Sequence, residues 1–159
     1  MICLSLGRQI PGGKSGICRD YDMTDYVFDS FALTAFVLDE PGKTRVIELI
    51  EEGRAGTSRL LMSTVNLGET LYIAERRHGA PSAAVYVLNL FADLPIDLVD
   101  ADRFLTIAAA RIKAVTPISF GDCFAAALAL QQTATVVTGD REFELVEHIV
   151  PIEWLPRPR

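Results

Sequence analysis

The sequence predicts an α/β domain with a mainly parallel sheet, on three observations. Short β-rich runs alternate with helix-period patterns from Met23 onward, the order expected when crossover helices join parallel strands. The 159 residues amount to one domain and half of them are hydrophobic, enough for a single core and too apolar for a disordered chain. No repeat or interior linker breaks the alternation.

The elements follow in order. Tyr26-Val27-Phe28 reads as the first strand, and Ser30 to Leu38 as a helix stopped by Pro41-Gly42. Thr44 to Glu52 is a second helix with Val46, Leu49 and Ile50 on one face, and Arg59 to Met62 a second strand. Thr64 caps a helix running to about Arg77, and Pro81 sits where the next begins, ending near Phe91. Ile96 to Val99 is a third, weaker strand. Asp100 caps a helix whose apolar face is assigned to Phe104, Ile107, Ala108 and Ile112. Pro117 breaks the chain before a long apolar helix, Asp122 to Gln132, which must be buried. Thr135 to Val137 is the clearest strand. A short helix, Arg141 to Val146, and an extended run, Ile149 to Leu155, close the domain.

Residues 1–22 differ in kind: Gly7, Gly12, Gly13 and Gly16 punctuate a stretch without helix or strand period. They read as a flexible extension that need not be native, with residues 23–159 as the domain and Met23 as a natural start. Arg8, Lys14 and Arg19 interrupt any signal-peptide core. Cys3, Cys18 and Cys123 form no Cys-x-x-Cys pair and have only His78 and His148 for company, so neither a disulfide framework nor a zinc site fits. The longest apolar run, Cys123 to Leu130, falls far short of the roughly 20 residues that span a membrane. A cytoplasmic protein with no membrane contact is the expectation. With 15 Lys+Arg against 21 Asp+Glu and a net charge of -6, the chain does not hold nucleic acid through a broad basic surface.

Four carboxylates stand where carboxylates are least expected. Asp29 and Asp140 follow strands, at the edge of an open α/β sheet where ligands bind; Asp122 opens the buried apolar helix. Each of these three, taken alone, is compatible with a helix N-cap. Glu69 is not, because it lies mid-helix on the face of Val65, Tyr72 and Ile73. There it needs a proton, a cation, or an escape to solvent, Arg76 or Arg77. Together the four make a set of hard oxygen donors without His or Cys. Such a set suits Mg²⁺ or Mn²⁺ and would repel itself without a cation. Metal-assisted phosphodiester hydrolysis is the chemistry that follows. Arg45 and Arg141 are candidate contacts for the phosphates of such a substrate, although solvated surface arginines would look the same.

The motifs Val27-Phe28-Asp29-Ser30-Phe31-Ala32-Leu33, Asn66-Leu67-Gly68-Glu69, Ile118-Ser119-Phe120-Gly121-Asp122-Cys123-Phe124 and Val137-Thr138-Gly139-Asp140-Arg141, in this order and spacing, resemble a PIN domain of the VapC toxin type. The resemblance covers about Met23 to Leu155. It implies a three-layer α/β/α sandwich and a Mg²⁺-dependent endoribonuclease, with Mn²⁺ as a substitute, acting in a toxin-antitoxin module. It further implies catalytic and metal-binding roles for Asp29, Glu69, Asp122 and Asp140, with Ser30 and Thr138 in support. The expected partners are a tRNA or ribosomal RNA substrate, a cognate VapB-type antitoxin and a second copy of the chain. Phe31 departs from the family, whose members often carry a small or hydroxylated residue there.

Two phosphotransfer folds fit less well. A haloacid-dehalogenase-like enzyme needs an Asp where Phe31 stands, and a receiver domain needs a late Lys, yet none follows Lys113. A non-catalytic PIN-fold module acting through protein partners stays open as the alternative.

Overall fold

The structure, a computed structural model, describes residues 23–157. The proposed extension 1–22 lies outside them. The elements are β1 (Thr24–Phe28), α1 (Ser30–Val37), α2 (Lys43–Ala55), β2 (Ser58–Ser63), α3 (Thr64–His78), α4 (Ser82–Ala92), β3 (Ile96–Val99), α5 (Arg103–Val115), α6 (Phe120–Gln132), β4 (Thr135–Thr138) and β5 (Ile152–Trp154). A short 3-10 helix, Arg141–Leu145, follows β4.

All five strands are parallel, in the order β3-β2-β1-β4-β5. The period of two then sorts the core into layers. Val27, Leu61 and Val136 form one row across β1, β2 and β4 and pack with the apolar faces of α5 and α6. Phe28, Met62 and Val137 form the next row and pack on the opposite face with α1 and α2. The result is the three-layer sandwich the resemblance implied. Helix α6 is buried along nearly its whole length, from Asp122 to Ala129, and its alanines let it lie close to the sheet.

The strand order also places the site. The chain steps outward from β1 to β2 and β3, then returns to lay β4 against the other side of β1. Between β1 and β4 the connections diverge, and the crevice beyond their carboxyl ends is where such sheets receive ligands. Asp29 and Asp140 follow those two ends.

Several boundaries differ from the sequence reading, each for a local reason. Ser63 rather than Thr64 caps α3, accepting a hydrogen bond from the Asn66 amide, while the Thr64 hydroxyl accepts from Ala101 N. Asp102 rather than Asp100 caps α5 through the Leu105 amide. Helix α6 starts at Phe120, capped by Ser119, so Asp122 sits within its first turn and is not a cap. The buried face of α5 is Leu105, Ala109 and Ile112, and Phe104 and Ile107 are exposed at 65% and 45%. On α4 only Val87 is buried; Val85, Tyr86 and Leu88 face outward. Cys123 is buried. Among the described residues no single helix is long and apolar enough to cross a membrane.

Candidate active site

The walls of a cleft of about 300 Å³ at the switch point carry Asp29, Glu69, Asp122 and Asp140, so the fold brings together the four acids singled out by sequence. Glu40 and Glu142 line it as well, making six carboxylates, and Arg77 is the one cation among the described lining residues.

Asp29 does two jobs. Its Oδ1 accepts a hydrogen bond from Ala32 N at 2.9 Å, which caps α1, and its Oδ2 accepts from the Thr138 hydroxyl at 2.6 Å. Thr138 Oγ1 in turn accepts from Asp140 N at 2.9 Å, so one hydroxyl fixes two of the acids relative to each other. Asp140 caps the 3-10 helix through Glu142 N. The capping reading of these two residues is therefore correct as far as it goes, and leaves carboxylate lone pairs facing the cleft. Ser30, nearly buried at the start of α1, also lines it.

Asn66, fully buried, clamps α3 to α6. It exchanges hydrogen bonds with Ser63 at the helix start, and its Nδ2 donates to Gly121 O at 3.1 Å. This sets Glu69 against the first turn of α6. Tyr72, which sequence placed toward the core, is exposed, and its hydroxyl donates to Glu69 Oε1 at 2.9 Å. Glu69 Oε2 is buried and has no hydrogen-bond partner among the described residues.

Burial is the main force on the protonation of this site. It pushes the Asp29 carboxyl well above the usual range, partly offset by Thr138 and the Ala32 amide, and the charges of Asp122 and Asp140 push the same way. Asp122 is raised to about 7, first by burial and then by Asp140, Glu69 and Glu142, against the Ser119 bond that lowers it. A buried carboxylate oxygen without a partner among the described residues, beside two acids lifted by desolvation, is a set of hard oxygen donors that a divalent cation would satisfy. The donor chemistry fits Mg²⁺ or Mn²⁺. Among the described residues no three His, Cys, Asp or Glu side chains stand already gathered around one point.

The two arginines proposed as RNA contacts stand elsewhere. Arg45 is absorbed by Glu48, Glu52 and Glu153 on the α2 side of the sheet, with its Nε 2.9 Å from Glu153 Oε1. Arg141 is exposed beside Asp140, with only a 3.9 Å approach to Glu144. Sequence reading named Asn66 only as part of a motif and Arg77 only as a possible partner of Glu69, and gave Glu40 and Glu142 no place in the site. The first two repeat the Glu69 face of α3 at helical spacings, and Glu142 follows Asp140 by two residues; nothing local marks Glu40.

The approach of Glu69 to Gly121 gives a probe of geometry separate from stability. A Cβ on Gly121 would lie 2.8 Å from Glu69 Oε2, the far end of a movable side chain. Gly121→Ala is expected to leave the melting temperature unchanged or slightly higher, since Ala gains up to about 1 kcal/mol over Gly in a helix. Any activity that uses the Glu69 carboxylate should fall about 10-fold, the scale expected from displacing a catalytic group by less than an ångström. Thermal melts beside activity measurements separate the two effects.

The sequence matches the PIN domain family over residues 26–149. No curated protein matches the chain. Among solved structures it is similar to VapBC2 from Rickettsia felis bound to a promoter DNA fragment, at 16% identity and TM-score 0.65 over 84% of this chain and 100% of that one. It is also similar to DNA-bound VapBC from Salmonella typhimurium, at 24% identity and TM-score 0.63 over 82% and 98%. A third structure, the sarcin-ricin loop cleaving toxin VapC20 of Mycobacterium tuberculosis, is similar at 18% identity and TM-score 0.62 over 84% and 99%. Fold and sequence agree: the chain belongs to the PIN domain family.

Proposed function

We propose that the protein is a divalent-metal-dependent endoribonuclease and the toxin of a toxin-antitoxin module. The observation that carries this reading is that Asp29, Glu69, Asp122 and Asp140 line one cleft, with Glu69 Oε2 buried and without a partner among the described residues. The family supports it, as does the likeness to a VapC toxin described as cleaving the sarcin-ricin loop.

Asp29, Asp122 and Asp140 would hold Mg²⁺ or Mn²⁺, with Glu69 as a further ligand or as the group that orients water. The ion, when bound, supplies positive charge for the phosphate oxygens and lowers the pKa of water. The chain's own residues do the rest. Thr138 holds Asp29 and Asp140 in register, and Asn66 holds α3 against α6. Tyr72 holds Glu69 Oε1 by a hydrogen bond, and Oε2 lies buried against Gly121 in the first turn of α6. RNA would be cut to a 5′-phosphate and a 3′-hydroxyl.

A VapB-type antitoxin and a second copy of the chain are the proposed partners. The outward apolar side chains of α4 and α5, Val85, Tyr86, Leu88, Phe104 and Ile107, supply surface for such contacts.

The test is cleavage of RNA by purified protein in Mg²⁺, Mn²⁺ or chelator, with Asp29→Asn and Glu69→Gln alongside. Chelator and either substitution should each lower the rate at least about 10²-fold, the usual scale for losing an electrostatic contributor. Cleavage that survives chelator and both substitutions refutes the reading. Metal binding without turnover points instead to the non-catalytic module.

A further inference from the structure

We propose that Arg77 is the anchor for a substrate phosphate in this cleft and that Glu40 is its counter-ion while no RNA is bound. The inference rests on the nuclease reading and adds the means by which an acidic cleft admits a polyanion.

Helix α3 forms one wall of the cleft with Glu69, Ile73 and Arg77, four residues apart and so on one face. At 1.5 Å per residue Arg77 stands about 12 Å along the helix axis from Glu69. It is thus about two turns along the helix from Glu69, at the part of the cleft that Glu40 lines, where a nucleotide flanking the scissile one would lie. The facing wall is α1, with Ser30 and Thr34 one turn apart. Thr34 is nine-tenths buried and its hydroxyl has no partner among the described residues.

Arg77 is built for a ligand more than for a brace. One N–H of its guanidinium, on Nη1, donates to Glu40 Oε1, and among the described residues the remaining donors of the five-donor fork are unspent. Its side chain is 54% exposed, whereas Glu40 is 12% exposed. A phosphate meeting that fork can take the bidentate geometry that guanidinium favours. It must otherwise approach six carboxylates with no attraction from the protein. Glu40 holds the arginine at the mouth and gives it up to the incoming phosphate.

The two sides of the pair make opposite predictions, which a merely structural salt bridge cannot. The probe is a short fluorescein-labelled single-stranded oligoribonucleotide of mixed sequence, cleaved by the full chain in Mn²⁺ over a range of KCl concentrations. Arg77→Ala should raise KM about 10-fold, leave kcat within about 2-fold, and flatten the log KM against log salt slope by about 0.7, the loss of one phosphate contact on a single strand. Arg77→Lys should recover part of the affinity. Glu40→Gln should lower KM about 3-fold with kcat unchanged, because the competitor is gone.

If both variants shift KM the same way, or neither shifts it, while the wild type cleaves, the pair is a brace and the inference falls with the nuclease reading intact. If the wild type shows no Mn²⁺-dependent cleavage, the nuclease reading itself fails. A poly-L-glutamate probe whose binding is lost in Arg77→Ala, with the RNA KM unmoved, overturns the inference in favour of protein docking.

Discussion

Asp122→Asn is expected to abolish metal-supported cleavage while making the metal-free protein more stable at pH 8. Asp122 is buried in the first turn of α6, close enough to Asp140, Glu69 and Glu142 for their charges to act on it, and its folded-state pKa is raised to about 7. In the unfolded chain it titrates near 3.8. Between those values the unfolded state releases a proton that the folded state keeps, so unfolding gains on folding as pH rises. The stability from this group is full below about pH 4 and is lost progressively up to about pH 7. Three pH units correspond to a ceiling of roughly 4 kcal/mol, and the amide's own need for partners reduces the gain to about 2 kcal/mol. Asn carries no charge, so the variant should melt several degrees above wild type in chelator at pH 8 and nearly level with it at pH 4. Asp29, raised by the same burial, adds a slope of the same sign in both proteins. Adding Mn²⁺ should raise the wild-type melting temperature and leave the variant's almost unmoved, since only a protein that binds the ion gains from it. Cleavage should drop by about 10³-fold. A variant less stable than wild type at pH 8 would show that Asp122 carries no unrelieved charge.

That trade explains how much of this molecule sequence could show. The sheet was legible because rows such as Val27, Leu61 and Val136 alternate with Phe28, Met62 and Val137, and a strand buried on both faces still keeps its β-branched, apolar character. The four acids were legible as a set, because only Glu69 breaks a local expectation by itself and the other three gain meaning from their shared place at strand ends and at the start of a buried helix. Two follow strand ends, one sits in an otherwise apolar helix, and one lies mid-helix where no cap is needed. Less was readable where several faces are chemically alike. Helix α5 carries Phe104, Leu105, Ile107, Ala108, Ala109 and Ile112, which cover more than one side, and the phase is fixed only by the Asp102 cap and by what α6 presents. Long-range pairing was not readable at all. Nothing near Arg45 shows that Glu153, 108 residues on, will share it with α2, nor that Glu40 will meet Arg77 across 37 residues.

Phe31 and Gly139 are the clearest case of such a coupling, and Gly139→Ala is expected to be the most damaging single methyl in the site. Phe31 packs with the α1–α2 layer and lines the cleft, and its ring covers the Cα of Gly139 so closely that an added Cβ would overlap two ring carbons. Gly139 does not have a positive φ, so alanine meets no backbone obstacle there. The whole cost lies in the contact. Overpacking of this kind costs about 1–3 kcal/mol. The backbone that must yield is the segment Thr138-Gly139-Asp140, which carries the hydroxyl that positions Asp29 and the amide that bonds to it. Cleavage should therefore fall about 10²-fold together with stability, since displacements of an ångström in reacting groups have that effect. Phe31→Ala in the same chain removes the obstacle. The double variant should recover most of the activity and show a coupling energy of about 1–3 kcal/mol in a thermodynamic cycle. A double variant no better than Gly139→Ala alone would mean that the glycine serves something other than the ring. Recovery would mean that an aromatic at position 31, where the resemblance leads one to expect a small or hydroxylated residue, is tolerated because the chain keeps a glycine beneath it.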